Sequence, residues 1–200
     1  NYDTAKKYFE KSAGIFQELG NKDEYASIVG ELGWIDYRKG DYDRADSLLN
    51  EALKINLSIH GSESKEAAMD LQYLGWIKNA QGDYNSSQRL FQESLSIRKS
   101  VLGNEHRLVA QTLQSLGRVL YNKGDYEEAG VKEKEALEIQ RSIFESKHPD
   151  IATTLNILGL ITMRQKNFDK AESYFREALQ MRLKFYGENH PDVLKSRNDL

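Results

Sequence analysis

Cysteine is absent from the 200-residue chain. That excludes disulfide scaffolds and cysteine-based zinc sites. It is compatible with a reducing compartment, and a cytoplasmic location is the expectation. Proline occurs only twice, at Pro149 and Pro191, 42 residues apart. Long helices tolerate few prolines, so this scarcity points to an all-α chain. No apolar run approaches the roughly 18 residues that would span a bilayer, and no secretory signal is visible, so no membrane partner is expected. The 28 basic and 31 acidic residues are mixed along the chain, giving a net charge of -3. A nucleic-acid footprint would show as a clustered Lys/Arg stripe, so no nucleic-acid partner is expected either. Phosphate-binding loops, dinucleotide fingerprints and metalloprotease motifs are missing. No catalytic residue, cofactor or metal is therefore expected, and the chain reads as a non-enzyme. It opens at Asn1, inside a helical pattern, and is expected to be a piece of something longer.

What is present is a repeat. The pair Leu-Gly occurs at Leu32-Gly33, Leu74-Gly75, Leu116-Gly117 and Leu158-Gly159, each step being 42 residues. Seven residues after each glycine comes Gly40-Asp41-Tyr42, Gly82-Asp83-Tyr84, Gly124-Asp125-Tyr126 and the variant Lys166-Asn167-Phe168. Small residues recur at Ala45, Ser87, Ala129 and Ala171, and again at Ala52, Ser94, Ala136 and Ala178. A loop glycine stands at Gly61, Gly103 and Gly187, with Glu145 in the remaining copy. So many coincidences at one spacing mark a repeat architecture.

Each unit reads as two helices. The first, helix A, covers about 22–39 in the first full copy, and the second, helix B, about 42–59. Glycine supplies the left-handed residue that ends helix A, and the following Asp or Asn caps helix B. Apolar residues recur at helical spacing in helix B: Leu48, Leu49, Ala52, Leu53 and Leu57, then Leu90, Phe91, Ser94 and Leu95. The small residues have a packing reason, because a larger side chain would hold closely crossing backbones apart. A leucine at Gly33 or Ala45 would overpack by about 1–3 kcal/mol. His148-Pro149-Asp150 and His190-Pro191-Asp192 start helices, with proline at a first-turn position that needs no donor partner. His106, His148 and His190 share the 42-residue step. Adjacent helices pack about 8–10 Å apart, too far for such histidines to share a metal at 2.0–2.1 Å, so a role at the joint is expected.

These motifs together resemble the tetratricopeptide repeat (TPR), in the 42-residue form of kinesin light chain with its Gly-x-x-His-Pro-Asp joint. The resemblance implies an all-α, right-handed α-α superhelical solenoid of helical hairpins. Its expected organisation is a single array over 1–200: a leading B helix at 1–20, repeats at about 22–61, 62–103, 104–145 and 146–187, and a truncated A helix at 188–200. Glu133 stands where Leu49, Phe91 and Phe175 stand in the other units, Lys166 replaces a turn glycine, and Ser87 and Ser94 replace alanines.

The resemblance also implies which A-helix residues line an inner wall. They are Ser27, Gly30, Trp34, Tyr37 and Arg38; Met69, Gln72, Trp76, Asn79 and Ala80; Gln111, Gln114, Arg118, Tyr121 and Asn122; Thr153, Asn156, Leu160, Met163 and Arg164; then Lys195 and Asn198. Spacings of three and four keep each set on one helix face. Gln72, Gln114, Asn156 and Asn198 form a carboxamide series, and a carboxamide can both accept from and donate to an extended peptide backbone. Trp34 and Trp76 occupy one repeat position and suit either a binding hot spot or packing against neighbouring A helices. Arg38, Arg118 and Arg164 suit carboxylates. The expected function is a scaffold holding a protein or peptide segment in this groove. The alternative is a ligand-sensing regulatory domain of a larger signalling ATPase or caspase-like protease. Self-association through exposed array ends is a further expectation.

Overall fold

A computed structural model describes residues 2–144 and 148–198, so Glu145 and the two outermost ends of the expected array lie outside the described residues. Ten helices occur among them: α1 (Tyr2–Glu18), α2 (Lys22–Lys39), α3 (Tyr42–His60), α4 (Lys65–Ala80), α5 (Tyr84–Leu102), α6 (Arg107–Lys123), α7 (Tyr126–Ile143), α8 (Pro149–Arg164), α9 (Phe168–Tyr186) and α10 (Pro191–Asn198). No described helix is long and apolar enough to cross a membrane. The chain divides into two compact units, 1–101 and 102–200. The first holds α1 to α5 and the second α6 to α10. Within each, helix A and helix B form a hairpin, and each helix B also packs on the A helix that follows it.

The Leu-Gly motif works as a hole that receives a knob from helix B. A Cβ added to Gly33 would lie 2.8 Å from Leu49 Cγ, one on Gly75 2.9 Å from Phe91 Cε1, and one on Gly159 2.5 Å from Phe175 Cε1. Real side chains do not approach so closely, so glycine is a steric requirement here. The two serines that replace alanines fit the same crossing. Ser87 Oγ donates to Gly75 O at 2.7 Å, and Ser94 Oγ to Ala68 O at 2.7 Å. These bonds return to the fold the hydrogen bonding that burial removes from water. One expected core position is corrected. Leu57 is 42% exposed, while its neighbour Asn56 turns inward.

The ends of the helices follow local chemistry. Gly40 and Gly124 close α2 and α6 in the left-handed region, at φ 85° and 94°. Lys166 adopts φ 61° in the equivalent turn, a conformation that its Cβ disfavours. Asp41, Asp83 and Asn167 cap α3, α5 and α9 by accepting from the backbone N–H three residues on, at 3.3, 3.1 and 3.3 Å. Asp125 makes no such bond; its carboxylate lies 3.3 Å from Lys123 Nζ instead. Asp41→Ala should therefore lower stability by about 1 kcal/mol. Asp125→Ala should cost less, because only attraction to the positive helix end and a solvent-exposed ion pair with Lys123 are lost. Paired urea titrations check this, and equal losses would contradict it.

The histidines of the joint do serve the helix starts. Nδ1 of His106, His148 and His190 accepts from the N–H two residues on, at 3.1, 3.2 and 3.2 Å. Two of these rings also stack on an aromatic one turn earlier, His148 on Phe144 at 3.7 Å and His190 on Tyr186 at 4.0 Å between centroids. Pro149 and Pro191 each open their helix, as the sequence predicts.

Candidate interaction site

In the first unit α2 lies beside α4, and in the second α6 lies beside α8. Each pair brings an expected inner-wall residue against the neighbouring A helix. Trp34 is stacked between Tyr37 and Tyr73, each ring 4.9 Å away, so it bridges α2 and α4. The Arg38 guanidinium lies over Trp34 and over Tyr2, 5.7 Å from both rings. Trp76 meets Phe91 edge-on at 5.2 Å. Both tryptophans are half-buried, so each packs with one part and presents the other. For Trp34 the contact with Tyr73 is the packing against a neighbouring A helix that the sequence offers as one of two readings.

The second unit repeats the theme with different side chains. Arg164 Nε donates to Tyr121 Oη at 3.0 Å, linking α8 to α6, and its guanidinium lies 5.7 Å from the same ring. Arg118, Asn122, Met163 and Arg164 are exposed, and Tyr121 and Leu160 are half-buried. Asn79 of the first unit is also half-buried. Asn198 is exposed on α10, which packs on α9.

The carboxamide series is only partly turned outward. Gln72 accepts from the Arg98 guanidinium of α5. Gln114 donates from Nε2 to Thr154 Oγ1 at 2.7 Å. Asn156 is 9% exposed. Gln72 and Gln114 thus spend hydrogen bonds on tying helices together.

A second polar series escaped the sequence reading. Asn56, Arg98, Gln140 and Arg182 stand on successive B helices at the 42-residue step, and all are buried. Asn56 donates to Asp70 Oδ2 at 2.7 Å, Gln140 accepts from Thr154 Oγ1 at 2.6 Å, and Arg182 donates to Ser196 Oγ. Burial pulls Arg98 down to about 10. The signal was available as a polar residue at one repeat position, but the residue types differ and a search for identities passes over them. Asp70 matters most. It is 1% exposed, and burial pushes its carboxyl up to about 6, against the Asn56 hydrogen bond and with help from the Glu66 charge.

Comparison with known proteins places these observations. A family model described as "Tetratricopeptide repeat" matches residues 1–58, 65–142 and 150–200. Among solved structures, BtubC (BKLC) of P. vanneervenii matches with a TM-score of 0.84 at 25% identity, over 95% of this chain and 76% of that one. The nearly identical TPR-like repeats of a candidate kinesin light chain from Podosopora anserina match at 0.77 and 21% identity, over 90% and 84%. RapI in its apo form matches at 0.81 and 21%, over 92% of this chain and 65% of its own. These similarities establish the fold. A search of curated protein sequences found no match.

Proposed function

Because the chain belongs to the tetratricopeptide repeat family, a general protein-interaction fold, we propose that it is a scaffold, not an enzyme, and holds a protein segment against the A-helix faces. The supporting observation is the composition of those faces. Aromatic rings, a guanidinium group and a carboxamide meet between neighbouring A helices, as in Trp34 with Tyr73, Tyr121 with Arg164 and Gln114 with Thr154. Tryptophan, tyrosine and arginine dominate binding hot spots. A carboxamide such as Gln114 can hold a peptide backbone whatever its side chains.

The test selects binders from a random dodecapeptide library displayed on phage, using the whole chain as bait. Affinities of the selected peptides are then measured against the unchanged protein, Gln114→Ala and Arg164→Ala. Loss of one hot-spot contact should weaken binding about tenfold with helicity unchanged. Peptides that bind both variants as tightly as the unchanged protein would remove these faces from the account.

A further inference from the structure

Between α2 and α4 of the first unit lies a cavity of about 160 Å³, lined by Asp23, Glu24, Ser27, Asn56, Glu66, Met69 and Asp70. It lies on the inner-wall stripe, since Ser27 and Met69 belong to that series. Its lining is unbalanced in charge. Four carboxyl groups reach it, and no lysine or arginine lines it. Asp23 is held by His60 Nε2 at 2.8 Å, and among the described residues Glu66 has only Lys65, exposed and 3.7 Å away.

Asp70 is the telling member. Its side chain is almost wholly buried, yet only one of its oxygens is used, Oδ2 accepting from Asn56. Oδ1 takes no hydrogen bond from any described residue, although the residue lines the cavity. Enclosure of the Asp70 carboxylate disfavours its charged form, and the nearby Glu66 charge adds to the cost. A cation arriving in the cavity would relieve both penalties. The carboxylates do not converge as metal ligands: no group of three or more potential ligand residues among those described is placed to hold an ion. The cavity has room for several waters, each taking about 30 Å³, and so for an organic cation with part of its stem. Met69 supplies an adaptable apolar wall for such a stem.

We propose that this cavity receives a lysine or arginine side chain of the bound segment, with Asp70, Glu66 and Glu24 facing the cationic head and Met69 its methylene stem. The inference rests on the groove reading above and names what the first unit selects in its partner. A desolvated ion pair of this kind gives specificity for a basic residue at one place in the segment.

The probe is N-acetylarginine methylamide, with the uncharged citrulline counterpart as control. Both are titrated into the whole chain while the amide signals of Ser27, Met69 and Asp70 are followed by NMR. The arginine compound should give saturable shifts at these three residues and the citrulline compound none. Asp70→Asn and the double variant Glu24→Gln/Glu66→Gln should each weaken the response about tenfold. The double variant alters only groups at the cavity mouth, so it decides the matter if Asp70→Asn loses helicity. Equal response to citrulline, no saturable shift, or unchanged affinity in the double variant would overturn the proposal. The peptide selection with Gln114 and Arg164 variants reads the second unit, so failure of the cavity and failure of the groove are separate results.

Discussion

Glu133→Leu should stabilise the second unit by about 2–4 kcal/mol at or below about pH 4, where the carboxyl is protonated in both states, and by more at neutral pH. Glu133 occupies the knob position held by Leu49, Phe91 and Phe175 in the other units. It is 0% exposed, and neither carboxyl oxygen has a hydrogen-bond partner among the described residues. A Cβ on Gly117 would lie 2.5 Å from its Oε1 and 2.9 Å from its Cγ, so the acid fills the hole that elsewhere takes a hydrocarbon. Burying a polar group without a partner costs about 1–3 kcal/mol, and each apolar carbon that leucine adds over the glutamate methylenes is worth about 0.8 kcal/mol. Against a total stability of about 5–15 kcal/mol for a domain, that is a large fraction. Urea unfolding measures it, and a neutral or destabilising result would contradict the argument.

The pH dependence follows from the same residue. Burial pushes the Glu133 carboxyl well above the ordinary glutamate range, against a smaller pull from the Arg118 charge. The folded state therefore holds this proton more tightly than the unfolded chain. Below the unfolded value of about 4.3 both states are protonated and the group imposes no pH slope. Above it the unfolded chain ionises first, and stability falls by about 1.4 kcal/mol per pH unit until the folded group also ionises. The unchanged protein should thus lose stability relative to Glu133→Leu as pH rises from about 4.3. Glu133→Gln should remove that slope while keeping the polar burial, which separates the two contributions.

The architecture was legible in the sequence because the repeat enforces geometry through residues with one steric use. Gly33, Gly75 and Gly159 can only be holes, and Asp41 and Asn167 can only be caps, so their recurrence gave helix boundaries directly. What was not legible depends on contacts between different helices. Asp70 reads as one more surface acid until Asn56 from α3 is placed against it. Gln72 and Gln114 read as free rungs until Arg98 and Thr154 claim part of their bonding capacity. Trp34 reads as a residue that could pack against a neighbouring A helix, but the sequence does not name Tyr73 as its partner, because the two rings come from separate repeats. Periodicity identifies which face a residue is on; it does not say which polar groups on that face spend their hydrogen bonds within the fold.

The hole-and-knob contact makes a prediction in which one substitution changes sign between two sites in the same unit. Alanine favours a helix interior over glycine by about 1 kcal/mol, so Gly→Ala stabilises wherever the new methyl group has room. Gly130 in α7 has room: its nearest contact would be Ile161 Cγ2 at 3.6 Å, an ordinary separation. Gly159 in α8 does not, since three atoms of the Phe175 ring would stand 2.5, 2.7 and 2.8 Å from the added carbon. Phe175 is 4% exposed and held within the hairpin, so the ring can retreat only by separating α8 from α9. Gly130→Ala should raise stability by about 0.5–1 kcal/mol, whereas Gly159→Ala should lower it by about 1–3 kcal/mol despite the same propensity gain. Phe175→Ala alone should cost about 3–5 kcal/mol through the cavity it leaves. In the double variant the new methyl group enters that cavity, so the combined loss should be smaller than the sum of the single losses. Additive losses, or a Gly159→Ala variant as stable as Gly130→Ala, would show that the recurring Leu-Gly pair is not the seat of helix contact in this fold.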